Sequence, residues 1–154
     1  MNKITTLLTV LSLMFFSAHP AQAETDSAVL TVKTPVAFAT TSVQKNGAVF
    51  FEVTNTGDTM KRIISAQSPV SKTVELHTHE MDGDMMMMRE VEAYDVPAKE
   101  TITLQPMGHH IMLMGLVAPL KLGETFPLIL NIENAEPVHI DVEIKAPGSV
   151  GMSH

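Results

Sequence analysis

In Val74-Glu75-Leu76-His77-Thr78-His79 the apolar residues Val74 and Leu76 stand two apart, with Glu75, His77 and His79 at the positions between and after them. Successive side chains on a β-strand point to opposite faces, so Val74 and Leu76 take a core side while Glu75, His77 and His79 face outward. His109-His110-Ile111-Met112-Leu113-Met114 reads the same way. Ile111 and Leu113 are the branched residues suited to a core, which sends His110, Met112 and Met114 to the opposite face. Two rows of His and Met are therefore expected on outer faces.

Working outward from these stretches, the apolar pattern from Val29 onward keeps period two in short runs, and no stretch holds the spacing of a helical stripe. Candidate strands are Ala28 to Lys33, Gly47 to Thr54, Met60 to Ala66, Ser71 to His79, Met86 to Glu92, Glu100 to Leu104, His109 to Leu116, Phe126 to Ile132 and Val138 to Lys145. Turn signals separate them: Asn55-Thr56-Gly57-Asp58, Met81-Asp82-Gly83-Asp84, Pro97-Ala98-Lys99-Glu100 and Asn134-Ala135-Glu136-Pro137. Short strands at this spacing predict an all-β sandwich of Greek-key type. There is no internal repeat and no interdomain linker. One domain is expected over residues 24–146, followed by a flexible C-terminal tail, residues 147–154.

Composition narrows the function. The 154 residues carry ten Lys and Arg against seventeen Asp and Glu, net −7, a balance that repels phosphate backbones and argues against a nucleic-acid partner. The absence of Cys excludes disulfides, thiol nucleophiles, iron–sulfur clusters and the thiolate of a blue-copper site. Lys3, the apolar run from Ile4 to Phe16 and Ala21-Gln22-Ala23 have the layout of a secretory signal, cleaved to leave a chain starting at Glu24. The run is too short to span a membrane, which needs roughly 20 residues. No Cys follows it to carry a lipid. A periplasmic protein without membrane insertion after cleavage of residues 1–23 is the expectation.

The chain has twelve Met, and eight of them lie between Met81 and Met114. Met is ordinarily a flexible filler of apolar cores, and a lone Met60 or His139 is best read that way. Met85-Met86-Met87-Met88 is different, because a strand there puts Met side chains on both faces, where packing gives no reason for an exposed row. Thioether sulfur is a soft neutral donor and imidazole a borderline one, so a site built from both favours Cu(I) over Ca²⁺, Mg²⁺ or structural Zn²⁺.

The spacing His77-x10-Met88-x21-His110-x-Met112 resembles the H-x10-M-x21-H-x-M motif of the periplasmic copper chaperone family known as PCuAC. Val53-Thr54-Asn55-Thr56-Gly57, Ser68-Pro69-Val70 ahead of Val74, and the flanks of Met88 and His110 are also similar, so the likeness runs over nearly all of the chain after residue 23. The resemblance implies a cupredoxin-like β-sandwich. It further implies one Cu(I) held by His77, Met88, His110 and Met112, no catalytic activity, and delivery of copper to the CuA centre of cytochrome c oxidase alongside a Sco-type protein. His79, Met81, Met86, His109 and Met114 are spare donors beside the four, and Met152-Ser153-His154 is a short His/Met terminus best read as coil.

Three other readings use the same residues. A copper enzyme or electron carrier is weakened by the missing thiolate and by two thioethers, which favour one oxidation state. A buffer or resistance protein would sequester copper without delivering it. A structural or adhesion sandwich would use the Met row to dock a partner. The acidic charge favours encounter with a basic acceptor, with Glu75 and Glu90 expected at the docking face around His110.

Overall fold

The computed structural model describes residues 29–149. The expected signal (residues 1–23), the start at Glu24 and Met152-Ser153-His154 all lie outside that range. Alternation decides the architecture. The described residues form ten strands and no helix: β1 Leu30–Phe38, β2 Asn46–Asn55, β3 Lys61–Gln67, β4 Ser71–Asp82, β5 Met85–Glu90, β6 Tyr94–Val96, β7 Thr101–Leu104, β8 His110–Leu116, β9 Thr125–Ile132 and β10 Val138–Lys145. Leu76 in β4, Ile111 and Leu113 in β8, and Leu128 and Leu130 in β9 are buried at alternate positions, as period two requires.

The strands join in one open hydrogen-bonded path, β5-β4-β8-β2-β1-β10-β9-β3-β6, with β7 paired to the C-terminal half of β2. The path folds over so that β3 lies against β4 and the inner faces share a single apolar core. Most neighbours in sequence stand apart in this order, which is the long-return connectivity of Greek-key folds. β1 makes the turn between layers. Its pairing with β2 slips between Lys33 and Val36, beside Thr34 at φ 46°, and beyond that bulge it pairs in parallel with β10. Pro35 is accommodated at this irregularity, where the ladder is already broken.

Three elements depart from the expected ones. β1 runs on past Lys33 to Phe38 because of the bulge, β4 runs on past His79 to Asp82 and takes in the first half of the expected Met81–Asp84 turn, and β6 is a strand of three residues where none is expected. Tyr94 and Val96 of β6 are buried around exposed Asp95, an alternation too short to stand out in sequence. β6 matters because the turn after β2 is fastened to it. Asn55 is 0% exposed; its Nδ2 donates to the carbonyls of Thr59 at 2.8 Å and Val96 at 2.9 Å, and its Oδ1 accepts from the Gly57 amide at 2.9 Å. Gly57 leaves room for Val29, whose side chain a Cβ there would strike.

Asn55→Ala removes these three hydrogen bonds at a fully buried position, and a buried polar group left unsatisfied costs about 1–3 kcal/mol. Urea unfolding should show a loss of about that size with an unchanged slope. Stability equal to the parent's would mean the clamp is dispensable.

Candidate metal centre

Register gathers the donors. β4 lies between β5 and β8, with His77 opposite His110, Glu75 opposite Met112, His79 opposite Met88, and Met81 opposite Met86. The residues pair across strands and share parity along them. Glu75, His77, His79 and Met81 of β4, Met86, Met88 and Glu90 of β5, and His110, Met112 and Met114 of β8 therefore occupy one face. Gaps of ten and twenty-one residues in the sequence close to neighbouring strand positions. The four residues implied by the motif are all on this face, but Met88 stands opposite His79 rather than His77.

The centre of the face is His110, only 4% exposed, whereas Met88 on the edge strand is 46% exposed. The His110 ring is 5.2 Å from that of His79, 5.8 Å from that of His77 and 6.4 Å from that of Phe50, centroid to centroid. On its far side Met112 borders an open groove shared with Phe38, Ala48 and Pro147. The expected surface site is thus open at Met88 and closed at His110.

Hydrogen bonds fix how the rings present themselves. His110 Nδ1 lies 3.0 Å from the Gly108 carbonyl, which can only accept, so the neutral ring carries its proton on Nδ1 and presents the Nε2 lone pair. That Nε2 is 3.2 Å from Met88 Sδ. His79 Nδ1 approaches the same carbonyl at 3.4 Å. His77 is held the other way round: its Nε2 donates to Glu75 Oε2 at 2.8 Å, and its Nδ1 is buried without a hydrogen-bond partner. Burial pushes the His110 pKa below its ordinary value, outweighing the Gly108 carbonyl, and the neighbouring His79, His77 and His109 push the same way. His110 is therefore a neutral ring at pH 7.

Beneath the face, Tyr94 of β6 ties the two His strands together. Its hydroxyl proton is shared between the carbonyls of His77 at 2.6 Å and His110 at 2.7 Å, and burial raises its pKa, so it stays a donor. His109 packs on the Tyr94 ring at 5.0 Å and takes no part in the donor face. Sequence reasoning missed Tyr94, Gly108 and the role of Glu75. Tyr94 is the chain's single Tyr, and Glu75 stands two residues before His77 on the same face; those were the available signals. Among the described residues no three His, Asp or Glu side chains group closely enough to hold a metal by themselves.

Residues 30–144 match the family model described as "Putative lipoprotein LpqE-like". The chain belongs to this LpqE-like family. A curated relative, "Putative lipoprotein Lxx21020" of Leifsonia xyli subsp. xyli, is 33% identical over 99 residues, which is 64% of this chain and 60% of that protein. The chain thus matches less than two thirds of that relative's length. Among solved structures, the copper-bound PCuAC domain from PmoF2 superposes with a TM-score of 0.67 at 22% identity, covering 77% of this chain and 94% of that one. The solution structure of apo-DR1885 from Deinococcus radiodurans matches with a TM-score of 0.62 and 28% identity over 96% of this chain and 98% of that one. Its CuI-DR1885 counterpart gives 0.62 and 29% over 84% and 88%. This LpqE-like chain therefore has the cupredoxin-like all-β fold of PCuAC domains.

In the apo LpqE-like chain, ring ¹⁵N shifts should report opposite neutral tautomers, protonated on Nδ1 in His110 and on Nε2 in His77. His110 should titrate below the ordinary 6.5. The unfolded chain then binds more protons in that window, so the contribution of His110 is complete at higher pH and is lost as pH falls through about 6.5 and below. Identical tautomers in the two rings would contradict the hydrogen-bond assignments.

Proposed function

We propose that this chain is an exported, non-catalytic copper carrier that holds one Cu(I) through His77, Met88, His110 and Met112 and hands it to an acceptor protein. The supporting observation is the 3.2 Å approach of His110 Nε2 to Met88 Sδ. With the His110 proton on Nδ1, both atoms offer lone pairs and neither donates, so the contact gains nothing by itself. A soft cation between them turns it into two bonds. Ligands of a tetrahedral ion with bonds of about 2.0 Å to nitrogen and 2.3 Å to sulfur stand roughly 3.5 Å apart. Two thioethers and two neutral imidazoles suit Cu(I), and the unpartnered Nδ1 is the lone pair that the His77 imidazole offers, since its Nε2 is on Glu75. The likeness to CuI-DR1885 supports the same guest.

Delivery, rather than storage, is favoured by the asymmetry of the site. His110 is buried and positioned from both sides, while Met88 is on an exposed edge strand, where an incoming donor can displace one ligand at a time. A CuA centre of cytochrome c oxidase, with or without a Sco-type protein, is the acceptor proposed, and the periplasm is the compartment. The lipoprotein relatives and the signal-like residues 1–23 support export.

Competition with a coloured Cu(I) chelator under reducing conditions tests the site. The parent should bind one tight equivalent, and the His110→Ala, Met112→Ala double variant should lose it. A parent that cannot compete would return the Met row to partner docking. Of the two acidic residues expected at the docking face, Glu75 is committed to His77, so Glu90 separates transfer from affinity. Glu90→Lys should slow low-salt transfer to a basic acceptor by about tenfold with little change in affinity. Equal transfer rates would remove the electrostatic docking idea.

A further inference from the structure

The donor face does not end at the four proposed ligands. One rung beyond His79 and Met88, Met81 of β4 stands directly opposite Met86 of β5, 62% and 45% exposed. Opposed residues of an antiparallel pair have Cβ atoms about 4.5–5.5 Å apart, so two flexible thioethers at one rung can converge on one ion. The rung is held in place from behind. Gly83 at φ 64° turns the hairpin between Asp82 and Met85, and on the reverse face Arg89 pairs with Asp82 at 3.0 Å and Glu80 at 3.8 Å.

Charge favours a cation along this row. The donor face of β4, β5 and β8 carries Glu75 and Glu90 but no Lys or Arg, since Lys72 and Arg89 have the opposite parity. The donors form a ladder from the hairpin tip inward: Met81 with Met86, His79 with Met88, His77 with His110, and Glu75 with Met112. Rungs of one face are about 7 Å apart, two residues along a strand.

We propose that Met81 and Met86 form a second, weaker site for a soft monovalent cation, an outer station through which Cu(I) reaches and leaves the inner site by way of His79 and Met88. The ion only exchanges ligands; no electron moves and no bond within the protein breaks. Two neutral thioethers hold Cu(I) less firmly than a set containing imidazoles, so the outer site fills second and empties first. The direction of travel rests on the copper reading of the inner site, whereas the pairing of Met81 with Met86 does not.

The test is methyl NMR on the full chain labelled with ¹³C at the Met methyls, titrated with Ag(I) as a redox-inert probe and anaerobically with Cu(I). The first equivalent should shift Met88 and Met112, and the second should shift Met81 and Met86 together. In the Met81→Leu, Met86→Leu variant, whose swaps conserve volume, the first equivalent should bind within about twofold of the parent. The second equivalent should be lost, and release of the first to a chelating acceptor should slow by about fivefold or more. Met60→Leu, at an exposed Met outside the face, is the control. Unmoved Met81 and Met86 methyls up to excess metal would overturn the proposal, and so would a variant that shifts as expected but releases copper at the parent's rate. If Met81 and Met86 respond while Met88 and Met112 do not, the outer pair stands and the proposed inner site fails.

Discussion

The register between β4 and β8 is the constraint on which the donor face depends. Side chains alternate with period two, so a slip of one residue would turn His110 and Met112 into the core and bring Ile111 and Leu113 out. The core forbids that slip. Leu76 is paired with Ile111 and Val74 with Leu113, and Ile111 and Leu113 are 0% exposed, each worth about 1.5–3 kcal/mol of burial. Tyr94 adds a polar fastening at the same rung, since its hydroxyl reaches the carbonyls of both His77 and His110 from the opposite layer. The rung that carries the two imidazoles is thus the one held from beneath.

Burying an imidazole requires that it stay neutral, because a charged ring without a partner is costly in a low-dielectric setting. His110 meets that requirement with its proton satisfied by Gly108 and its other nitrogen left free. His77 is turned the other way, with Nε2 on Glu75 and Nδ1 buried without a partner. The two rings together show how a face without thiolates can still present lone pairs. A carbonyl and a carboxylate, each taking one nitrogen, decide which atom of each ring is available.

Much of this was legible in the chain itself. The alternation of residues 74–79 and 110–114 placed every His and Met on the correct side, because one face of each strand is filled by branched apolar residues that cannot be exchanged with the other. The all-β class followed from the same period. Pairing partners were not legible: His79, rather than His77, stands opposite Met88, a fact set by the length of the hairpin after Asp82. Nor was the burial of His110, which depends on Phe50 and on a loop carbonyl four residues past β7. β6 escaped notice because three residues carry too little pattern, yet it supplies the tyrosine that joins the His strands.

β5 raises a cost the rest of the fold avoids. It is the terminal strand of the path, with an unpaired edge, and all four of its Met residues are exposed. An apolar edge of this kind invites pairing with another chain, so it is normally blunted. Here the strand has six residues, ends in Arg89 and Glu90, and has Glu80 and Asp82 beside it in β4. Charge thus restrains association without covering the sulfurs. Packing alone gives no advantage to four exposed Met over four Thr or Lys, which would tolerate the edge better. What Met adds at an exposed strand position is a soft donor that needs no proton removed, and on the donor face Met86 and Met88 place two of them in line with the buried imidazole of His110.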